Sequence, residues 1–191
     1  MTELPVSAAW RHRDAREGFE VVFPSPEGDG LRFDGHSTGV EQGQAWGVRY
    51  SILLDGGWHT RSAHVVSRSA MGTRELELER VVAEGWLVNG APAPHLEDCF
   101  DVDLEASAFT NAFPVRRLAL APGESAKAPA AYVRAPDLRV ERLEQSYRRL
   151  EDEGTRSRYD YASPQFEFKA LLLYDENGFV VDYPGIAERV L

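Results

Sequence analysis

The sequence is short of lysine, of cysteine and of long apolar runs. Lysine occurs only twice in 191 residues, against nineteen arginines, a bias that goes with abundant alanine and a GC-rich coding sequence rather than with a function. Cations are short overall: 21 stand against 31 Asp and Glu, for a net charge of −10. An acid excess of that size repels phosphates over most of the surface and argues against a general nucleic-acid binder. The single cysteine, Cys99, excludes an internal disulfide framework, and no CxxC or CxxH spacing marks structural zinc. No segment approaches the ~20 apolar residues of a transmembrane helix. The longest strongly apolar runs, such as Ala170 to Tyr174, are strand-sized. Met1 to Trp10 carries neither a basic leader nor a long apolar stretch, so the expected compartment is the cytoplasm.

What is present is 43% hydrophobic residues and many aromatics (Trp 4, Tyr 7, Phe 9), too many for a disordered chain. The length suits one domain spanning 1–191, able to bury roughly 70% of its unfolded surface. Short alternating apolar runs separated by turn residues give the all-β pattern. Phe19 to Phe23 reads as a strand, followed by a Pro/Gly-rich turn from Pro24 to Gly30. Leu31 to Val40 reads as a second strand, bent at its glycines. Ala45 to Leu54 and Trp58 to Val66 flank Asp55-Gly56-Gly57, where Asp-Gly predicts a tight hairpin. In Arg74 to Val81, Leu76 and Leu78 alternate with glutamates, so one face is dry. Trp86 to Val88 then turns at Asn89-Gly90. Phe166, Phe168, Ala170, Leu172 and Tyr174 share one strand face before a turn at Asp175 to Gly178. The stretch Arg139 to Leu150 is ambiguous: Leu143, Tyr147 and Leu150 have helical spacing, and composition leans to helix, but a strand also fits. The composite is an antiparallel sheet long enough to curl, split or close. Its aromatics either line an interior cavity or fill a solid core.

Candidate chemistry centres on Asp98 to Asp103. Asp101 and Asp103 share a strand face, suited to ligand hydroxyls, a metal or acid–base work, or else to pairing with Arg116 and Arg117. The spacing excludes an EF-hand loop. Cys99 has flanking acids that disfavour a thiolate, and a lone thiol reads as a small buried hydrophobe. The five histidines form no HxH or HxxxH pair, so no metal is expected. No phosphate-binding loop, dinucleotide fingerprint or nucleophile elbow is present, and no cofactor is expected.

Several motifs together resemble a bacterial family called putative glycolipid-binding proteins. They are Asp98-Cys-x-Asp101-x-Asp103-Leu104, Thr110-Asn111-x-x-Pro114-Val-Arg116-Arg117-Leu118, Ala131-x-Val133-x-x-Pro136-Asp137-Leu138 and Gln145-x-Tyr147-x-Arg149-Leu150. Tyr159-x-Tyr161, Asp175-x-x-Gly178, Val181-Asp182-Tyr183-Pro184-Gly185 and Trp58-x-Thr60-Arg61 extend the match over nearly the whole chain. The resemblance implies a mainly β, curled antiparallel sheet, a spiral β-roll or half-barrel with few short helices. Its shape is similar to that of periplasmic lipoprotein carriers, and it favours strand for Arg139 to Leu150.

It also implies non-catalytic binding of a glycolipid or other amphipathic, lipid-like ligand. Asp101, Asp103, Asn111, Arg116 and Arg117 would meet the polar head group, and Trp58, Tyr147, Asp182 and Tyr183 are further candidate contacts. One alternative is a small-molecule enzyme with Asp101 or Asp182 as general base, weakened if both acids pair with arginines. Another is a module that pairs a partner along its sheet edge.

Overall fold

The computed structural model describes residues 4–14, 16–82 and 84–191. The first eight strands are β1 (Ala8–His12), β2 (Phe19–Glu27), β3 (Gly30–Glu41), β4 (Gln44–Leu54), β5 (Thr60–Ser69), β6 (Gly72–Val81), β7 (Gly85–Val88) and β8 (Ala91–Pro92). After β9 (Asp101–Leu104) comes the helix α1 (Ala112–Leu118). There follow β10 (Ser125–Lys127), β11 (Ala130–Val133), β12 (Val140–Leu143), β13 (Ser146–Arg149) and β14 (Ser157–Ser163). The chain ends with β15 (Phe168–Tyr174), β16 (Val180–Tyr183) and β17 (Ala187–Arg189). Short 3₁₀ turns lie at Pro94–Leu96, Phe109–Asn111 and Pro164–Phe166.

Fourteen strands form one sheet in the order β10-β13-β14-β15-β16-β17-β1-β2-β3-β4-β5-β6-β7-β8. It is antiparallel, curled and open rather than closed into a barrel, the mainly β architecture expected. Two meanders, β1 to β8 and β13 to β17, are sewn together where β1 pairs with β17 and Trp10 lies opposite Arg189. Between them the chain leaves the sheet. β9 pairs parallel with β11, which pairs antiparallel with β12. All of β9 and residues 106–115 are buried, so this segment fills the concave side of the sheet.

The filling is aromatic. Phe109 packs against Trp10 at 5.8 Å, Phe33 at 4.9 Å, Phe113 at 5.3 Å and Phe179 at 5.0 Å between ring centroids. Phe33 also meets Trp58 at 5.7 Å. These rings come from both meanders and from the interior segment, so the two ends of the sheet share one core. Among the described residues, these rings fill this half of the interior.

Glu20 fastens the interior segment to the wall. It is wholly buried. Its Oε1 accepts the Tyr50 hydroxyl at 2.6 Å and the Ser107 hydroxyl, and its Oε2 accepts the backbone N–H of Ala108 at 2.8 Å and of Phe109 at 3.3 Å. Burial pushes its carboxyl above the ordinary range, and the four donors oppose that. Tyr50 is itself held in place: it lies opposite Gly35, where an added Cβ would sit 2.1 Å from the Tyr50 ring, so only glycine leaves room for it.

Glu20 is inside because β2 is inverted relative to its hydrophobic pattern. Glu20 and Val22 face the core, while Phe19 and Phe23 face outward, 53% and 48% exposed. β2 also runs on through Pro24 to Glu27, correcting the expected turn over 24–30. β1 covers β2 only as far as Val22, so the prolines sit where β2 has a single neighbour and a missing donor is tolerated.

The Asp55 connection also differs from the expected tight hairpin. It spans five residues, and Trp58, not a glycine, takes the left-handed conformation at φ 68°. Asp55 Oδ1 accepts the N–H groups of Gly57 and His59, and the Asp55 N–H donates to the His59 carbonyl. Asp175 to Phe179 repeats this bond for bond, with Gly178 at the left-handed position. By contrast, Asn89-Gly90 forms the expected two-residue hairpin between β7 and β8, and Leu76 and Leu78 are buried as expected. Arg139 to Leu150 is strand, as the resemblance favoured, but broken at Glu144-Gln145. β12 belongs to the small sheet and β13 to the large one.

Truncating Glu20 to Ala orphans four buried donors and should cost about 3–5 kcal/mol. Glu20→Gln should cost less, about 1–2 kcal/mol, because its carbonyl can still serve the two backbone N–H groups while the hydroxyls turn to accept from its amide. Urea-denaturation midpoints check this, and equal losses for the two variants would contradict the clamp.

Candidate functional site

A cavity of about 240 Å³ lies where the interior segment meets the second meander. Its polar lining includes Asp103, Asn111, Tyr132, Tyr161, Tyr183 and Ser163, and Phe166 and Phe168 supply apolar walls. β9 places Asp103 there. The 3₁₀ turn that follows brings the Thr110 hydroxyl onto Asp103 Oδ1 at 2.9 Å, and Asn111 Oδ1 accepts the Tyr147 hydroxyl at 2.8 Å. Arg16 also lines the cavity; its Nη1 donates to the Glu105 carbonyl at 2.9 Å, while its buried Nε has no hydrogen-bond partner among the described residues.

The walls of this half of the interior are tyrosine. All seven tyrosines are buried. Tyr147, Tyr159, Tyr161, Tyr174 and Tyr183 come from four strands of the second meander, β13 to β16. Their rings form a chain of contacts, Tyr147 to Tyr161 at 5.2 Å and Tyr161 to Tyr183 at 6.0 Å among them. Burial holds the phenols of Tyr147, Tyr161, Tyr174 and Tyr183 above their ordinary range, and the Asp103 charge adds to this. They are hydroxyl donors at any ordinary pH.

Of the nine residues singled out from the sequence, three line this cavity: Asp103, Asn111 and Tyr183. Tyr147 supports it through Asn111. Asp101 is wholly buried and paired with Arg117, whose Nε donates at 3.0 Å and Nη2 at 2.5 Å. Arg116 lies elsewhere: its guanidinium stacks on the Trp58 ring at 4.9 Å, and its Cδ sits 2.6 Å from where a Cβ on Gly178 would be. It therefore occupies the space between the two matching turns, and Trp58 is part of the core. Asp182 meets Arg13 at 3.5 Å. Asp101 and Asp182 thus both pair with arginines. The expected shared face of Asp101 and Asp103 divides between an ion pair and a cavity.

Sequence reasoning did not single out Glu20, Ser163, Tyr132 or Arg16, and it names Thr110 only within a motif. The alternation puts Phe166 on the face of the following strand. Instead it ends a 3₁₀ turn, Glu167 is left-handed at φ 50°, and the ring packs on Tyr132 at 5.6 Å. Cys99 is buried, and burial pushes its thiol up to about 11, so it is a small core residue. On the outer face of the sheet, His64 Nε2 lies 2.7 Å from Glu75 and 3.5 Å from Glu77, a cross-strand cluster that no sequence spacing suggests.

Asp103 is the titratable centre of the cavity. Burial is the main cause that pushes its carboxyl from 3.8 to about 6; the Thr110 hydroxyl opposes the shift, and the charges of Asp101 and Glu105 add to it. The folded protein therefore holds a proton at Asp103 between pH ~4 and ~6 that the unfolded chain has released, so stability falls as pH rises through that window. The loss amounts to about 3 kcal/mol. Asp103→Asn should remove it: urea denaturation between pH 4 and 7 should show a correspondingly flatter pH dependence in the variant. Equal slopes would mean that Asp103 ionises in the fold as it does in water.

No curated protein matches the chain. Among solved structures, it is similar to a DUF1089 family protein from Pseudomonas aeruginosa, with 34% identity, a TM-score of 0.76, and coverage of 90% of this chain and 92% of that one. A family model described as "Putative glycolipid-binding" matches residues 7–189. The chain belongs to that family.

Proposed function

We propose that the protein binds a glycolipid or similar amphipathic molecule without chemistry on it, and that the cavity around Asp103 takes the sugar head group. The observation that carries this reading is the lining: a buried carboxylate and an amide set among tyrosine hydroxyls and phenylalanine faces. Sugar rings present hydroxyls at their edges and C–H groups on their faces, and this wall offers a partner for each. At about 240 Å³ the cavity is below the ~300 Å³ at which drug-sized pockets begin, so it suits one ring rather than acyl chains. The alkyl part would lie along apolar rim residues such as Phe166 and Ile186, which line the same cavity.

A second reading is favoured by one observation. A carboxyl raised to about 6 and facing a cavity has the properties of a general base at neutral pH. Asp103, rather than Asp101 or Asp182, would then be that base.

Calorimetric titration with octyl glucoside below its micelle concentration tests the binding reading, with octyl sulfobetaine as the sugar-free control. Wild type should bind the glucoside and not the control, and Asp103→Asn should weaken binding roughly 10- to 100-fold, as for loss of a hydrogen bond to a charged group. Equal binding of both detergents, or indifference to Asp103→Asn, would remove the sugar site. Recovery of a chemically altered glucoside after incubation would favour the enzyme.

A further inference from the structure

The chain's two lysines lie in the same place. Lys127 on β10 and Lys169 on β15 both line a groove of about 730 Å³ on the outer face of the second meander. The register shows how. Lys127 pairs with Ser146, Ser146 with Ala162, and Ala162 with Lys169, one residue from each of four adjacent strands. At about 4.8 Å per strand, the lysines stand roughly 14 Å apart at the backbone across a floor of small side chains. Arg148 rises from the same floor one row away, opposite Asp160. Neither lysine nor Arg148 makes an ion pair or side-chain hydrogen bond among the described residues.

A chain of net charge −10 has thus collected three unpaired cations around one concavity, with Asp160 as the acid in its lining. Protection of a sheet edge accounts for a lysine on β10, the terminal strand. It does not account for Lys169 or Arg148, which stand on strands paired on both sides. Removing Lys127, Ser146 and Lys169 from the core face leaves them no packing role. We propose that this groove binds a phosphate-type oxyanion, held by Lys127, Arg148 and Lys169 over the Ser146–Ala162 floor. The oxyanion belongs either to a free phosphorylated molecule or to a lipid head group. The site is on the opposite face of the sheet from the Asp103 cavity and does not depend on the sugar reading.

The scarcity of lysine makes the test direct. Reductive methylation with ¹³C keeps the charge and leaves two lysine side-chain signals besides the terminal amine. Titration with pyrophosphate should shift both lysine signals on one saturation curve. Arg148→Gln should weaken the binding about tenfold, and Asp160→Asn should tighten it several-fold. All these side chains face solvent, and near-UV circular dichroism verifies that the variants fold. If pyrophosphate has no effect, sedimentation with phosphatidylcholine vesicles containing phosphatidylglycerol is the second arm. Capture by these vesicles but not by pure phosphatidylcholine, lost in Lys127→Glu, assigns the oxyanion to a lipid head group. Inertness to both probes overturns the proposal, as does binding that Lys127→Glu and Arg148→Gln leave unchanged.

Discussion

Four hydrogen bonds to one carboxylate hold the inside of this molecule to its outside. A long sheet curled over a concave face must put something there, since an empty apolar interior forfeits the contacts that stabilise a core. Here the filling is the chain's own middle segment, and Glu20 decides where it sits. By receiving Ser107, Ala108 and Phe109 together, it sets the start of the 3₁₀ turn that aims Phe109 at Trp10, Phe33 and Phe179. The same turn carries Thr110 and Asn111 toward the cavity. The site is therefore positioned from a strand that contributes nothing to its lining.

The consequence is an interior of two kinds. Beneath the first meander the rings are Phe and Trp, densely packed, with Glu20 and its donors as a satisfied polar knot. Beneath the second they are mainly tyrosines, and Asp103 stands among them with a cavity beside it. Asp101 and Asp103 show the contrast at closest range. Two residues apart on one strand, the first is neutralised by a forked arginine contact and the second is left facing open space. A buried carboxylate without a cation costs stability. Here that carboxylate stands beside a cavity, and among the described residues its one side-chain donor is the Thr110 hydroxyl.

Parts of this were legible in the residues and parts were not, for physical reasons. β6 reads cleanly because one of its faces is wet and the other dry, and Asn89-Gly90 reads because its two positive φ angles demand those residues. β2 misleads because its phenylalanines lie outside and a glutamate held by four donors lies inside, which period-two alternation can only read the wrong way round. The Asp55 turn misleads because a tryptophan occupies the left-handed position that Gly178 fills in the matching turn; the strain is tolerated where the indole is buried and Arg116 stacks on it. The motifs around Asp101 to Arg117 fall on the segment that the structure buries inside the sheet. They could not divide it: Asp101 meets Arg117 sixteen residues on, whereas much of the wall beside Asp103 comes from β14 to β16, some sixty to eighty residues further along.

The two meanders also explain why the chain has two distinct faces to offer. Period-two alternation along β13, β14 and β15 sends tyrosines inward and Arg148, Asp160 and Lys169 outward from the same few residues. One short stretch of sequence therefore builds part of the wall of a hydroxyl-rich cavity on one face and the floor of a cationic groove on the other. Neither can be altered by a shift of register without destroying the other, because a slip of one residue exchanges the faces. The long antiparallel pairing of β14 with β15, seven residues on each side, fixes that register and with it both surfaces.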